Sequence, residues 1–132
     1  MWRAIPVCIF IIVVLASCTR DTAIYNPCPS CPSNISFKSA IIPIFAANCA
    51  ITGCHNATTD AFSQNFDSAH AYASATRPGT GNVTPYNANN SLLYTILLGT
   101  GGANHMPLNA APLNPCEIQQ IACWINQGAQ DN

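Results

Sequence analysis

Asn48-Cys49-Ala50-Ile51-Thr52-Gly53-Cys54-His55 is the stretch that decides how this chain is read. It sets two thiols five positions apart and places an imidazole directly after the second. Thiols add covalently to vinyl groups, and a neutral imidazole nitrogen is a common ligand for iron. The usual C-x-x-C-H signature of covalent haem attachment separates its cysteines by two residues. Here four residues intervene, so support has to come from the rest of the chain.

Upstream, a short segment carrying Arg3 leads into Ile5 to Ala16, almost wholly apolar, and then into Leu15-Ala16-Ser17-Cys18. An apolar run of this length with small residues at its end reads as a secretory signal, too short to span a bilayer comfortably. Leu-Ala-Ser-Cys also resembles the lipobox of bacterial lipoproteins, in which the cysteine becomes the lipidated first residue of the mature chain. Residues 1–17 are therefore expected to be a lipoprotein signal peptide, and Cys18 a lipid anchor. The alternative is an ordinary cleaved signal that leaves Cys18 unmodified. Lipid chains hold a protein at a membrane surface without a spanning segment, so the expected location is extracytoplasmic. Thr19 is not acidic, which by analogy with lipoprotein sorting favours the outer membrane. The Asn-x-Ser/Thr sites at Asn34, Asn56, Asn82 and Asn89 then read as polar loop.

Removing 17 of the 132 residues leaves 115, a length that suits one small domain. That portion carries three basic and five acidic residues, a formal charge of −2. It has no basic stripe, which argues against nucleic acid as a partner. Thr19 to Asn34 is polar and contains Pro27, Pro29 and Pro32, so residues 18–36 are expected to be an extended, lipidated tether. Residues 37–132 form the expected domain.

Within it, Phe37, Ile41, Ile42, Ile44 and Phe45 predict a short amphipathic helix entering the Cys49 motif, with Pro43 either limiting it or marking its start. Asp67 is expected to cap a helix over Ser68 to Thr76, and Asn90 one over Ser91 to Leu98 that stops at Gly99. The last helix has the clearest signals: Asn114 as cap, Pro115 at the first position, Glu117 at capping-box spacing and Gly128 as stop. Ile118, Ile121, Ala122 and Ile125 share one of its faces. No alternating strand pattern persists, so the expected class is all-α.

A haem attached through Cys49 and Cys54, with His55 as proximal ligand, still needs a second axial ligand. Thioether sulfur from Met is a common one and raises the reduction potential relative to two imidazoles. Met1 lies in the signal, which leaves Met106, in the loop Gly101-Gly102-Ala103-Asn104-His105-Met106-Pro107-Leu108. His105 is the rival ligand beside it. His70 falls in an Ala-rich segment, where a solvent-facing ring with no assigned role is the plainer reading.

If haem takes Cys49 and Cys54, then Cys28, Cys31, Cys116 and Cys123 remain, and an oxidising compartment commits them. Cys116 and Cys123 stand seven residues apart on one helix, roughly 10 Å, beyond disulfide reach. The expectation is that Cys28 and Cys31 pair across to them. A local Cys28–Cys31 bridge is the alternative.

Ile42-Pro43-Ile44-Phe45 ahead of the Cys49 to His55 run, Ser91-Leu92-Leu93-Tyr94, Met106-Pro107-Leu108 and the closing Ile121-Ala122-Cys123-Trp124-Ile125-Asn126-Gln127-Gly128-Ala129 together resemble the small mono-haem cytochrome c domains of Bacteroidetes-type lipoproteins. The resemblance covers about residues 37 to 132. It implies a cytochrome c fold around one haem c, with Cys49 and Cys54 as thioether sites, His55 proximal and Met106 distal. It also implies that Trp124 and Ile125 lie on a terminal helix that packs at the haem and against the first helix. The function implied is one-electron transfer to redox protein partners, with no small-molecule substrate. A haem-free lipoprotein scaffolded by disulfides, with a binding or structural role, is the main alternative. A haem peroxidase or oxidase fits poorly with a full axial pair, and zinc lacks a second matched ligand pair.

Overall fold

The computed structural model describes residues 28–80, 82–102 and 104–132, and among these the regular structure is helical with no strand. The expected signal peptide, Cys18 and the first part of the tether lie outside the described residues. No described helix is long and apolar enough to cross a membrane.

Helix α1 spans Ile42–Asn48 and follows a π-helical turn over Phe37–Ile41. Pro43 sits in the first turn of α1, where its missing N–H has no helical partner to lose. The proline thus stands at the junction of the π-helical turn and α1, with Ile41 and Ile42 both in right-handed helical conformation. Helix α2 covers Ala71–Ala75, α3 Leu92–Leu97 and α4 Pro115–Asn126.

Two caps differ from those expected. Helix α2 begins at Ala71, three residues later than predicted. The Asp67 carboxylate accepts from the His70 ring Nδ1 at 2.8 Å, and Ser68 to His70 form a turn in place of the expected helix. That hydrogen bond, foremost, holds the Asp67 carboxyl below its ordinary range. His70 itself is exposed. In α3 the cap position is taken by Ser91, while Asn90 closes a short 3₁₀ turn whose cap is Asn87. Ser91 is fully buried, and its Oγ accepts from Thr84 N at 2.8 Å and donates to the Asn87 carbonyl at 2.9 Å. A side chain bound into the preceding loop is invisible to a rule based on sequence spacing.

Helix α4 follows its local signals closely. Asn114 Oδ1 accepts from Cys116 N at 2.8 Å and Glu117 Oε2 accepts from Asn114 N at 3.2 Å, a reciprocal capping box. Gly128 ends it at φ +103°, and a Cβ there would stand 2.8 Å from the Tyr86 ring, so only glycine fits. Ile121, Trp124 and Ile125 are buried. The Phe37 ring lies at the centre of an aromatic cluster, 5.0 Å from Trp124, 5.2 Å from Tyr72 and 6.1 Å from Phe45. These edge and tilted contacts add to the burial that joins α4 to the start of the domain.

The second half of the tether is docked on α4. Disulfides join Cys28 to Cys116 and Cys31 to Cys123, with Cα separations of 5.0 and 5.8 Å. Three extended residues advance about 10 Å, and so do two turns of helix, which is why a proline-rich C-x-x-C strand can be stitched in parallel to cysteines seven apart. Gln119 Nε2 donates to the Pro29 carbonyl, and Gln127 Nε2 to that of Pro32, which completes the seam.

Candidate functional site

Helix α1 ends where the cysteine motif begins. Cys49 N and Ala50 N both donate to the Phe45 carbonyl at 2.8 Å, and His55 N donates back to the Cys49 carbonyl at 3.0 Å. The four-residue spacer is thereby folded into a closed turn, with Cys54 N donating to the Ile51 carbonyl at 3.0 Å. The wide spacing lengthens this turn without carrying the two thiols to different places. Cys49, Cys54 and His55 all line one cavity of about 680 Å³, a size that suits a cofactor.

The His55 ring is anchored to the backbone of the turn that follows it. Its Nδ1 lies 3.0 Å from the Ala61 carbonyl oxygen. A carbonyl only accepts, so Nδ1–H is the donor in this contact, which leaves Nε2 as the ring nitrogen available to a ligand. Phe66 packs against the imidazole with ring centroids 5.4 Å apart, and Phe66 N donates to the His55 carbonyl at 2.7 Å. The Ala61 carbonyl is aimed by an unusual turn: Asp60, Phe62 and Ser63 adopt left-handed φ of 44°, 55° and 57°, a region that non-glycine residues seldom occupy. Arg77 Nη2 donates to the Ser63 carbonyl and ties this turn to the segment after α2.

Further wall residues come from α3 and the loop after it. Leu93, Ile96 and Leu97 line the cavity, and so does Met106. Met106 N donates to the Ile96 carbonyl at 3.1 Å, which brings the loop back to the end of α3. His105 is not among the lining residues. The walls are mostly apolar, with a polar margin that includes Ser63, Gln64, Arg77, Thr80 and Asn82; among the described residues Arg77 is the only Arg, Lys, Asp or Glu on the lining.

Among the described residues the thiols free of disulfides are Cys49 and Cys54. Burial, then the neighbouring Cys54 and Glu117, pushes the Cys49 thiol up to about 12. At pH 7 its thiolate fraction is on the order of 10⁻⁵. With both thiols free, alkylation of Cys49 by iodoacetamide is therefore expected to climb about tenfold per pH unit through the range of about 8 to 11. Peptide mass spectrometry against pH checks this; a plateau near pH 9 would show a thiol in open water.

Of the residues singled out in the sequence, Cys49, Cys54, His55 and Met106 converge, and Cys28, Cys31, Cys116 and Cys123 form the seam on α4. Trp124 and Ile125 lie buried on the terminal helix, and neither lines the cavity. Trp124 packs on Phe37 and donates through Nε1 to the Gln130 carbonyl at 2.9 Å. Ala61 and Arg77 join the site without a sequence signal that assigns them to it. A backbone carbonyl leaves no mark in a sequence, and Arg77 is visible there only as the single arginine of the domain. No group of three or more His, Cys, Asp or Glu side chains is gathered for a metal ion among the described residues. No protein-family model, curated protein or solved structure matches this chain.

Proposed function

We propose that this chain is a membrane-anchored c-type cytochrome that carries one electron at a time, with a single haem c in the cavity. The observation that carries the proposal is convergence: Cys49, Cys54, His55 and Met106, separated by up to 57 positions in sequence, line one apolar space. Its donor set matches what such a group requires. Two free thiols are available for thioether links, and His55 offers Nε2 while the Ala61 carbonyl holds Nδ1–H. A carbonyl on the remote nitrogen orients a ligating imidazole and raises its basicity. Met106 offers a thioether, and the polar margin with Arg77 suits the carboxylates of a haem.

Haem, when bound, supplies reversible Fe(III)/Fe(II) exchange. The chain's residues would hold it, with Cys49 and Cys54 as anchors, His55 and Met106 as iron ligands, and Phe66, Leu93, Ile96 and Leu97 excluding water. With two iron ligands supplied by the protein, the chain would serve as a carrier and not as an enzyme. Cys18 is the proposed lipid anchor, the proposed location is the outer membrane of a bacterium, and the partners are other redox proteins docking through small interfaces. The disulfide-scaffold alternative accounts for four thiols and leaves the two at the cavity without a role.

Expression with haem-maturation machinery, followed by oxidised and reduced absorption spectra and acid–acetone extraction, tests the proposal. A protein without covalently retained haem would sink it and leave the disulfide scaffold. In the loaded protein, Met106→Ala is expected to lower the potential by on the order of 0.1 V, within the ~0.8 V that axial ligands span, and to change the ligand-sensitive spectrum. Unchanged values would point to His105.

A further inference from the structure

The order His105-Met106 offers an iron two adjacent ligands, and imidazole is the stronger donor of the two. Which one enters the cavity is decided at the end of α3. Gly99 N donates to the Ile96 carbonyl at 3.3 Å and Thr100 N to the Thr95 carbonyl at 2.9 Å, with Gly99 at φ +69°. This is a Schellman termination, and its left-handed position favours glycine. The Ile96 carbonyl also receives Met106 N at 3.1 Å, so the same helix end fixes the register of the returning loop.

Gly99 does a second thing. A Cβ built on it would stand 3.2 Å from His105 Cδ2, with His105 Cβ and Cγ at 3.8 and 3.9 Å. The imidazole is thus seated directly over the glycine. His105 is absent from the cavity lining while Met106 is on it. We infer that Gly99 is a specificity-determining residue for the axial ligand: its bare backbone seats the His105 ring outside the cavity, so that the Met106 thioether and not the imidazole is presented within. This rests on the haem-carrier reading and extends it to the choice of ligand.

Gly99→Asn is the informative change, because asparagine tolerates left-handed φ while adding a side chain where the ring sits. In the haem-loaded variant the sulfur-to-iron charge-transfer band is expected to be lost, a bis-imidazole spectrum to appear and the potential to fall. Gly99→Asn combined with His105→Ala is expected to restore the band. Retention of the band in Gly99→Asn overturns the inference, as does failure of the second change to restore it, which would assign the loss to backbone distortion. Independently, the haem-free protein is expected to show a nuclear Overhauser contact between His105 Cδ2–H and the Gly99 Hα protons. Its absence overturns the seat even if haem binds. Should the unsubstituted protein retain no haem, the carrier reading fails, and the ligand-choice role with it, while the contact still reports whether the ring is seated.

Discussion

Removing both disulfides, by Cys28→Ser, Cys31→Ser, Cys116→Ser and Cys123→Ser together, is expected to destabilise the haem-free domain by about 7 kcal/mol, whereas breaking either one costs only about 3 kcal/mol. The asymmetry follows from the topology. Each bond spans a long stretch, 88 residues for Cys28–Cys116 and 92 for Cys31–Cys123. Closing that long loop the first time removes about 4–5 kcal/mol of denatured-state entropy. Once one bond is made, the second closes only the small ring formed by the short strand and two turns of α4, and it removes much less. The bonds are therefore not additive with respect to the unpaired chain. A domain of this size has a stability of about 5–15 kcal/mol, so the fourfold variant should be largely unfolded or close to it, while each single-bond variant folds. Urea denaturation of the three variants measures this. Equal costs that sum to the cost of the fourfold change would show that the entropic account of the seam is wrong.

The second large effect is on cofactor retention. Cys49→Ala combined with Cys54→Ala is expected to abolish covalent haem completely, since no other described thiol is free of a disulfide. Each single change is expected to leave haem attached through the remaining thioether, with its absorption maxima shifted because one vinyl group stays conjugated to the ring. Acid–acetone extraction and mass spectrometry of the haem-bearing peptide read both outcomes. A Cys49→Ala protein spectrally identical to the parent would remove Cys49 from the attachment site, the residue on which the wide spacer bears most directly. Both cysteines stand on the cavity wall and are half-buried, not in the aromatic core around Phe37. Loss of attachment is therefore separable from loss of fold.

The helices differ in how far their residues alone disclose them. Helix α4 is legible because Asn114, Pro115, Glu117 and Gly128 act on backbone groups within one or two turns of themselves. The pairing of the tether with α4 is legible only in part: helical rise forbids a Cys116–Cys123 bond, but a local Cys28–Cys31 bridge stays open until the folded chain joins Cys28 to Cys116 and Cys31 to Cys123. Helix α2 is less so. Asp67 engages the His70 ring as well as the backbone N–H of Ala69, within a turn that precedes the helix. Ser91 escapes its pattern for a related reason, since its hydroxyl is bound by Thr84 and Asn87 across a loop whose path no local rule specifies.

The candidate site divides in the same way. The identity of its donors, two thiols, an imidazole and a thioether, is written in the residue types of Cys49, Cys54, His55 and Met106, and so is their order along the chain. The all-helical class follows from periodicity and caps, which are local. That the donors share a cavity follows only from the tertiary structure, because the return of Met106 N to the Ile96 carbonyl joins segments whose spacing is set by a glycine-rich turn. The anchoring of His55 Nδ1–H is likewise decided by a carbonyl in a left-handed turn, and the removal of Trp124 from the cavity by its packing on Phe37. Residue type decides what chemistry is possible; burial and backbone hydrogen bonds between distant segments decide which of the possible donors meet.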